Sequence, residues 1–150
     1  KNIAKAIGAF ERTLLTPSRF DDFLNGDENA LNESEKRGLQ KFVNMGCAIC
    51  HNGVALGGNM YKKLGVVEPY KTNDDGRFVI TGLEIDKKVF KVPSLRNITK
   101  TGPYFHDGSV ATLEDAIEEM AEHQLGREVG PGFIADVKSF LGSLTSKGKE

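Results

Sequence analysis

Between residues 2 and 15 the apolar positions Ile3, Ile7, Phe10 and Leu14 recur at helical spacing, with Lys5, Glu11 and Arg12 on other faces. This pattern predicts a packing helix, stopped by Thr16-Pro17-Ser18. Ser18 is placed to cap a short second helix through Phe20, Phe23 and Leu24, ending at Asn25-Gly26. Asn32 followed three positions later by Glu35 is a capping-box arrangement, and the helix it starts carries Leu39, Phe42 and Val43 inward before running into Met45-Gly46-Cys47. From residue 52 to 100 the helical period is lost. Gly53, Gly57, Gly58, Gly65, Gly76 and Gly82 punctuate short apolar runs, which reads as loop with one short hairpin between Phe78-Val79-Ile80 and Val89-Phe90-Lys91-Val92. Pro93-Ser94-Leu95-Arg96-Asn97 then reads as a turn opening a short helix. Thr112 caps a further helix with Glu114 and Asp115 near its positive end; Leu113, Ala116, Ile117 and Met120 line one face, and Gly126 stops it. A last helix opens at Pro131 and stacks Phe133, Ile134, Val137, Phe140, Leu141 and Leu144 inward, leaving a polar tail from Ser146 to Glu150 that is expected to fray.

The 150 residues fit one domain with an extended arm: residues 1–30 as an N-terminal helical arm packing on the remainder, residues 31–150 as the main domain. Hydrophobic residues make up 39% and there is no Trp, so the apolar content sits at the low end for a globular chain and a bound prosthetic group would supply missing core. A formal net charge of −1 provides no global field for nucleic acid or an anionic membrane, which leaves local patches as the means of docking a partner. No apolar run approaches the roughly 20 residues of a membrane span, and the N-terminus shows no signal-peptide apolar region.

Cys47-Ala48-Ile49-Cys50-His51 changes the picture, because it uses both cysteines of the chain in the c-type haem attachment pattern. Two thiols three positions apart add to the two vinyl groups of one porphyrin, and the adjacent imidazole becomes the proximal iron ligand. A zinc site needs about four ligands, and no second Cys pair or spaced His pair follows. A thioredoxin-like dithiol should follow a strand, whereas here the preceding residues read as a helix. One motif sets one covalent haem c as the ceiling. Such attachment in bacteria occurs outside the cytoplasm, so a periplasmic location is expected, with a leader removed.

The sixth iron position decides the chemistry: Met favours electron transfer, whereas an open site permits ligand chemistry. Met45 lies on the motif's own side and reads as core. Met60 lies in a glycine-rich loop able to fold over the ring, and Met120 is far enough downstream to return on the distal face; the alternative for each is a gap-filling core Met. His123, three residues after Met120, and His106, in a Tyr-Phe-His-Asp-Gly turn, are the other candidates. Arg96 is the best partner for a haem propionate, because a guanidinium matches a carboxylate bidentately; its alternative is an ordinary surface Arg.

The blocks around the motif resemble a known family. Gly46-Cys47-Ala48-Ile49-Cys50-His51-Asn52-Gly53, Phe90-Lys91-Val92-Pro93-Ser94-Leu95-Arg96-Asn97, Gly102-Pro103-Tyr104-Phe105-His106-Asp107-Gly108 and the run from Leu113 through Leu125 resemble, in order, the C-terminal half of bacterial dihaem cytochrome c peroxidases. The stretch from Ala4 to Thr13 with Ser18-Arg19-Phe20-Asp21 resembles the segment joining that family's two halves. The resemblance implies a mainly α, class I cytochrome c-like helical domain wrapped around one covalent haem, with long loops and at most a short hairpin. It implies that Met120 ligates the iron of a high-potential electron-transfer haem, whereas a sister group that oxidises tryptophans of a partner protein carries Tyr there. It further implies calcium bound between two haem domains, partly through main-chain carbonyls of Thr101 and Pro103, with the remaining protein ligand in the other half.

One departure stands beside the match. Family peroxidases reduce hydrogen peroxide at an N-terminal haem with its own Cys-x-x-Cys-His, and these 150 residues hold a single such motif. The first expectation is therefore an electron relay that takes electrons from a small donor protein, a cytochrome or cupredoxin, and passes them to a second haem domain. The second is a haem enzyme with peroxide reacting at this haem, helped by His106 or His123, and the free-standing monohaem cytochrome is a third. A purely structural chain with a coincidental motif is the remaining alternative.

Overall fold

The computed structural model describes residues 2–11 and 13–148. Its elements are six helices and one two-stranded sheet: α1 (Asn2–Glu11), α2 (Arg19–Leu24), α3 (Glu33–Met45), β1 (Tyr61–Lys63), α4 (Phe78–Thr81), β2 (Val89–Lys91), α5 (Leu113–Leu125) and α6 (Pro131–Gly142). The helix ends follow local chemistry. Asn32 accepts from the Glu35 amide at 2.9 Å while Glu35 accepts from the Asn32 amide at 2.8 Å, closing the capping box of α3. Thr112 accepts from the Asp115 amide at the start of α5, and Gly126 ends that helix in the left-handed region with φ 62°.

The core forms where α6 crosses α3. Phe140 is fully buried, with its ring centroid 5.3 Å from those of both Phe42 on α3 and Phe20 on α2. Leu31, Leu56, Leu95, Leu113, Ile117, Val137, Leu141 and Leu144 complete the cluster. Full burial of one such side chain is worth about 1.5–3 kcal/mol. Gly38 permits the crossing, because a Cβ there would stand 1.9 Å from the carbonyl oxygen of Asp136. On the flank of the crossing, Asp136 accepts from Ser34, Arg37 and Lys41, and these donors hold its carboxyl well below the usual carboxylate range.

Four local expectations differ from the structure, the simplest being Val43, read as inward on α3 but 52% exposed. Phe78-Val79-Ile80 forms no strand: it lies in the four-residue helix α4, stopped by Gly82 at φ 67°, and β2 pairs antiparallel with β1 instead, Lys62 opposite Phe90. A three-residue apolar run fits either element, and the partner strand Tyr61-Lys62-Lys63 carries no apolar alternation to mark it. Helix α1 forms but buries none of its residues; Ile3, Ile7 and Phe10 are 78%, 53% and 63% exposed, so no packing partner for this stripe lies among the described residues. The second part of the 1–30 arm, by contrast, shares the common core through Phe20 and the fully buried Ser18. The tail does not fray at its start: Ser146 donates its amide to Asn97 and bridges Ser18, and the Lys147 amide donates to the Pro17 carbonyl. Residues 149 and 150 lie outside the described residues. Among the described residues no helix is long and apolar enough to cross a membrane.

Candidate haem site

Helix α3 ends at Gly46, whose φ of 99° turns the chain sharply into a short 3-10 turn over Cys47–Ile49. The amides of Cys50 and His51 both donate to the Cys47 carbonyl, at 3.2 and 3.0 Å, so the whole motif is wound on one turn. Both cysteines are unbridged and half-buried. Burial pushes the Cys47 thiol up to about 11, the reverse of the lowered pKa that activates a thioredoxin-type nucleophile. Among the described residues no three His, Cys, Asp or Glu side chains converge on a common point.

His51 is fixed from two sides. Its ring lies against Phe42, with centroids 6.3 Å apart, and its Nδ1 is sealed from solvent facing the carbonyls of Leu56 and Pro93 without a formed hydrogen bond. Burial holds its pKa below the ordinary histidine value, favouring the neutral imidazole that ligates metals. With Nδ1 on the sealed side, Nε2 is the nitrogen left to the open side. The seam that seals Nδ1 is backbone: Gly58 N–H donates to Val92 O at 2.8 Å, Leu95 N–H to Leu56 O at 3.2 Å, and Ser94 Oγ–H to Ala55 O at 2.7 Å. Gly57 is required there, since at φ 126° a Cβ would lie 2.0 Å from the Pro93 oxygen and 3.4 Å from His51 Nδ1. Two unbridged thiols on one turn, a neutral imidazole and an inward Nδ1 awaiting a carbonyl form the donor set of a covalently attached haem, and the residues fit that group.

Arg96 takes a carboxylate bidentately, and the carboxylate is Asp21, at 2.6 and 2.8 Å. Its Nε–H donates to Val54 O at 2.7 Å, tying α2 to the loop after His51. The Arg96 guanidinium holds the Asp21 carboxyl well below its usual range. Sequence reasoning missed Asp21; the Ser18-x-x-Asp21 spacing was its signal, because that carboxylate also accepts from the Ser18 amide and hydroxyl. A cavity of about 640 Å³ opens beside this pair, walled by Phe20, Leu39, Phe42, Leu56 and the His51 ring. Ala48 and His51 of the attachment turn line it, whereas Cys47, Cys50 and Met120 do not.

The remaining candidates lie apart from one another. Met120 is half-buried on α5, on the same face as the buried Ala116 and Ile117. Met60 offers its carbonyl to the Val92 amide beside β1, and Met45 is the last residue of α3. His106 stacks on Phe90 with centroids 4.0 Å apart and approaches Thr72 Oγ1 at 3.5 Å. His123 meets the Glu68 carbonyl through Nδ1 at 2.9 Å and the Glu119 carboxylate through Nε2 at 3.1 Å. Thr101 and Pro103 are exposed.

A helix leading into a Cys-x-x-Cys-His turn, crossed by the C-terminal helix over an aromatic contact, defines a mainly helical, cytochrome c-like haem domain. No family model matches the chain. It is 51% identical over 146 residues to cytochrome c551 peroxidase of Nitrosomonas europaea, covering 95% of this chain and 44% of that protein. It is 44% identical over 150 residues to cytochrome c peroxidase Ccp of Escherichia coli, covering 96% and 32%, and 33% identical over 132 residues to methylamine utilization protein MauG of Methylophilus methylotrophus. The crystal structure of a MauG-like protein associated with microbial copper homeostasis superposes with a TM-score of 0.73 at 29% identity, over 88% of this chain and 49% of that one. The chain is similar to one part of these cytochrome c peroxidases and MauG proteins, and it spans less than half the length of the curated relatives it matches.

Proposed function

We propose that this chain is the electron-relay half of a periplasmic dihaem cytochrome c peroxidase, carrying one haem c on Cys47 and Cys50 with His51 and Met120 as axial ligands. When bound, the haem supplies a one-electron couple between a small donor protein, a cytochrome or cupredoxin, and a second haem domain at which hydrogen peroxide is reduced. The observation that carries this reading is the engagement of both distal histidines. His123 has each ring nitrogen committed to a protein acceptor, and His106 is stacked on Phe90 beside Thr72. Both rings are therefore occupied by protein contacts, which favours a methionine as the sixth ligand, and the resemblance to the peroxidases selects Met120 over Met60 and Met45.

The chain's own residues do positional work. Gly57 and Pro93 hold His51 in one orientation, Phe42 packs on its ring, and the Asp21–Arg96 pair fixes the loop beside it. Calcium at the main-chain carbonyls of Thr101 and Pro103 belongs to the same proposal and requires the other half of the protein. Intact mass of the periplasmically expressed chain should show the gain of one haem, and the oxidised form should show the weak red charge-transfer band of methionine-ligated ferric haem. Met120→Ala should abolish that band. A high-spin resting spectrum, or peroxide turnover by this chain without a second haem domain, would overturn the relay assignment.

A further inference from the structure

The C-terminal turn of α5 is gripped by a segment remote in sequence. The amides of Val67 and Glu68 both donate to the His123 carbonyl, at 3.1 and 3.2 Å. Gln124 completes a reciprocal pair, accepting from the Val66 amide at 3.4 Å and donating to the Lys63 carbonyl at 3.2 Å. The His123 side chain reaches back to the same loop: Nδ1 lies 2.9 Å from the Glu68 carbonyl, which only accepts, so Nδ1–H donates there, while Nε2 meets the Glu119 carboxylate at 3.1 Å. Tyr70 closes the far side, its ring edge-on to His123 at 5.1 Å and to Phe105 at 5.2 Å, with its hydroxyl 2.9 Å from Ser109 Oγ.

The loop that makes this grip is itself tightly wound. Gly65 turns at φ 72° with the Tyr70 amide nitrogen 2.4 Å from where a Cβ would sit, and Val67 abuts Gly126, the left-handed residue that ends α5. Residues 63–70 thus form a small closed unit that meets the last turn of α5 at His123 and Gln124. Nothing in the packing of the core needs this: the buried residues of α5 are Leu113, Ala116, Ile117 and Ala121, all N-terminal to the gripped turn. A helix end held only by its own last hydrogen bonds frays readily. Here the fraying end is the one next to Met120.

We infer that His123 and Gln124 are positioning residues, which clasp the last turn of α5 to the 63–70 loop and so set how readily Met120 leaves as the sixth ligand. The inference rests on Met120 being that ligand. It assigns the lability of the ligand to a device about one helical turn away, and it predicts that the clasp governs exchange and not merely stability.

The test uses the haem-loaded chain and the rate at which imidazole displaces the sixth ligand at saturating concentration, where departure of the native ligand is limiting. His123→Ala should raise that rate by about 3- to 10-fold, the range expected for loss of one ordinary hydrogen bond, while the methionine charge-transfer band is retained in the resting protein. His123→Asn, whose amide can donate to the Glu68 carbonyl, should restore a rate near that of the parent. If His123→Ala fails to fold, Gln124→Ala provides the second reading and should act in the same direction. Arg37→Ala, which removes a surface donor from the α3–α6 flank, should lower thermal stability without changing the exchange rate. An unchanged rate in both His123→Ala and Gln124→Ala would overturn the inference, as would a rate raised equally by Arg37→Ala. Failure of the underlying ligand assignment is separately visible, because the parent protein would then lack the charge-transfer band altogether.

Discussion

Replacing Gly38 with Ala tests whether the α3–α6 crossing sets the geometry of the haem turn. In an exposed helix interior this change stabilises, by about 0.8–1.0 kcal/mol of intrinsic propensity. Gly38 is not exposed to solvent in that sense: the new Cβ would lie 1.9 Å from the Asp136 oxygen, 2.6 Å from its carbonyl carbon and 2.8 Å from Phe140 Cβ. Ordinary contact begins near 3.4 Å, so the helices must part by about 1.5 Å, and the first two obstacles are backbone that cannot rotate away. Overpacking of a well-filled core costs about 1–3 kcal/mol, and a backbone clash belongs at or above the top of that range. Subtracting the propensity gain leaves a net loss of about 2–3 kcal/mol. For a chain of this size that is a fall in Tm of roughly 4–12 °C. Urea and thermal unfolding of the haem-loaded chain, followed by far-ultraviolet circular dichroism, measure it. Gly132→Ala on α6, where a Cβ meets nothing within 4 Å, is the paired control and should be neutral or slightly stabilising. A Gly38→Ala protein as stable as the parent would refute the close-approach argument. Because α3 leads directly into Cys47, the spectrum of the axial ligands should shift together with the stability.

Gly57→Ala places a side chain at φ 126° and 2.0 Å from the Pro93 oxygen; the backbone conformation alone costs about 1–3 kcal/mol. The expected outcome is a lower yield of low-spin haem and a lower Tm, checked by the absorption spectrum and a thermal melt of the purified chain. Asp21 has a carboxyl depressed by Arg96, so its contribution to stability is present above the ordinary aspartate pKa of about 3.9 and is lost as the pH falls below that value toward its folded one. Urea unfolding from pH 7 down to pH 3 should show a shallower acid limb in Asp21→Asn than in the parent, and parallel limbs would show that the pair contributes nothing.

The helices were legible because their signals are local. The Asn32 and Glu35 capping box, Thr112, Pro131 and the stop at Gly126 act within one turn of chain, and each helix starts or ends where those residues stand. The end of α3 at Gly46 was legible for the same reason, and the structure winds Cys47, Cys50 and His51 on the tight turn that follows it. The glycine-rich stretch from residue 52 to 100 was not, because its conformation is settled by partners far away in sequence. The ends of β1 and β2 are nearly thirty residues apart, and Phe78 to Ile80 had no local feature to distinguish strand from helical turn. Exposure of α1 was likewise invisible: an amphipathic stripe states that a partner is needed and not where it is.

The sequence by itself determined the donor set proposed for the haem, because covalent attachment would depend on residue identity and spacing within five consecutive positions. Only the tertiary structure decided how that turn is held. Asp21 reaches Arg96, Gly57 reaches Pro93, and the 63–70 loop reaches His123, across separations of 36 to about 75 residues that no periodicity encodes. Each contact depends on backbone approach or on a buried donor finding its acceptor, and such distances exist only once α6 has packed across α3 and the loops have closed over the core.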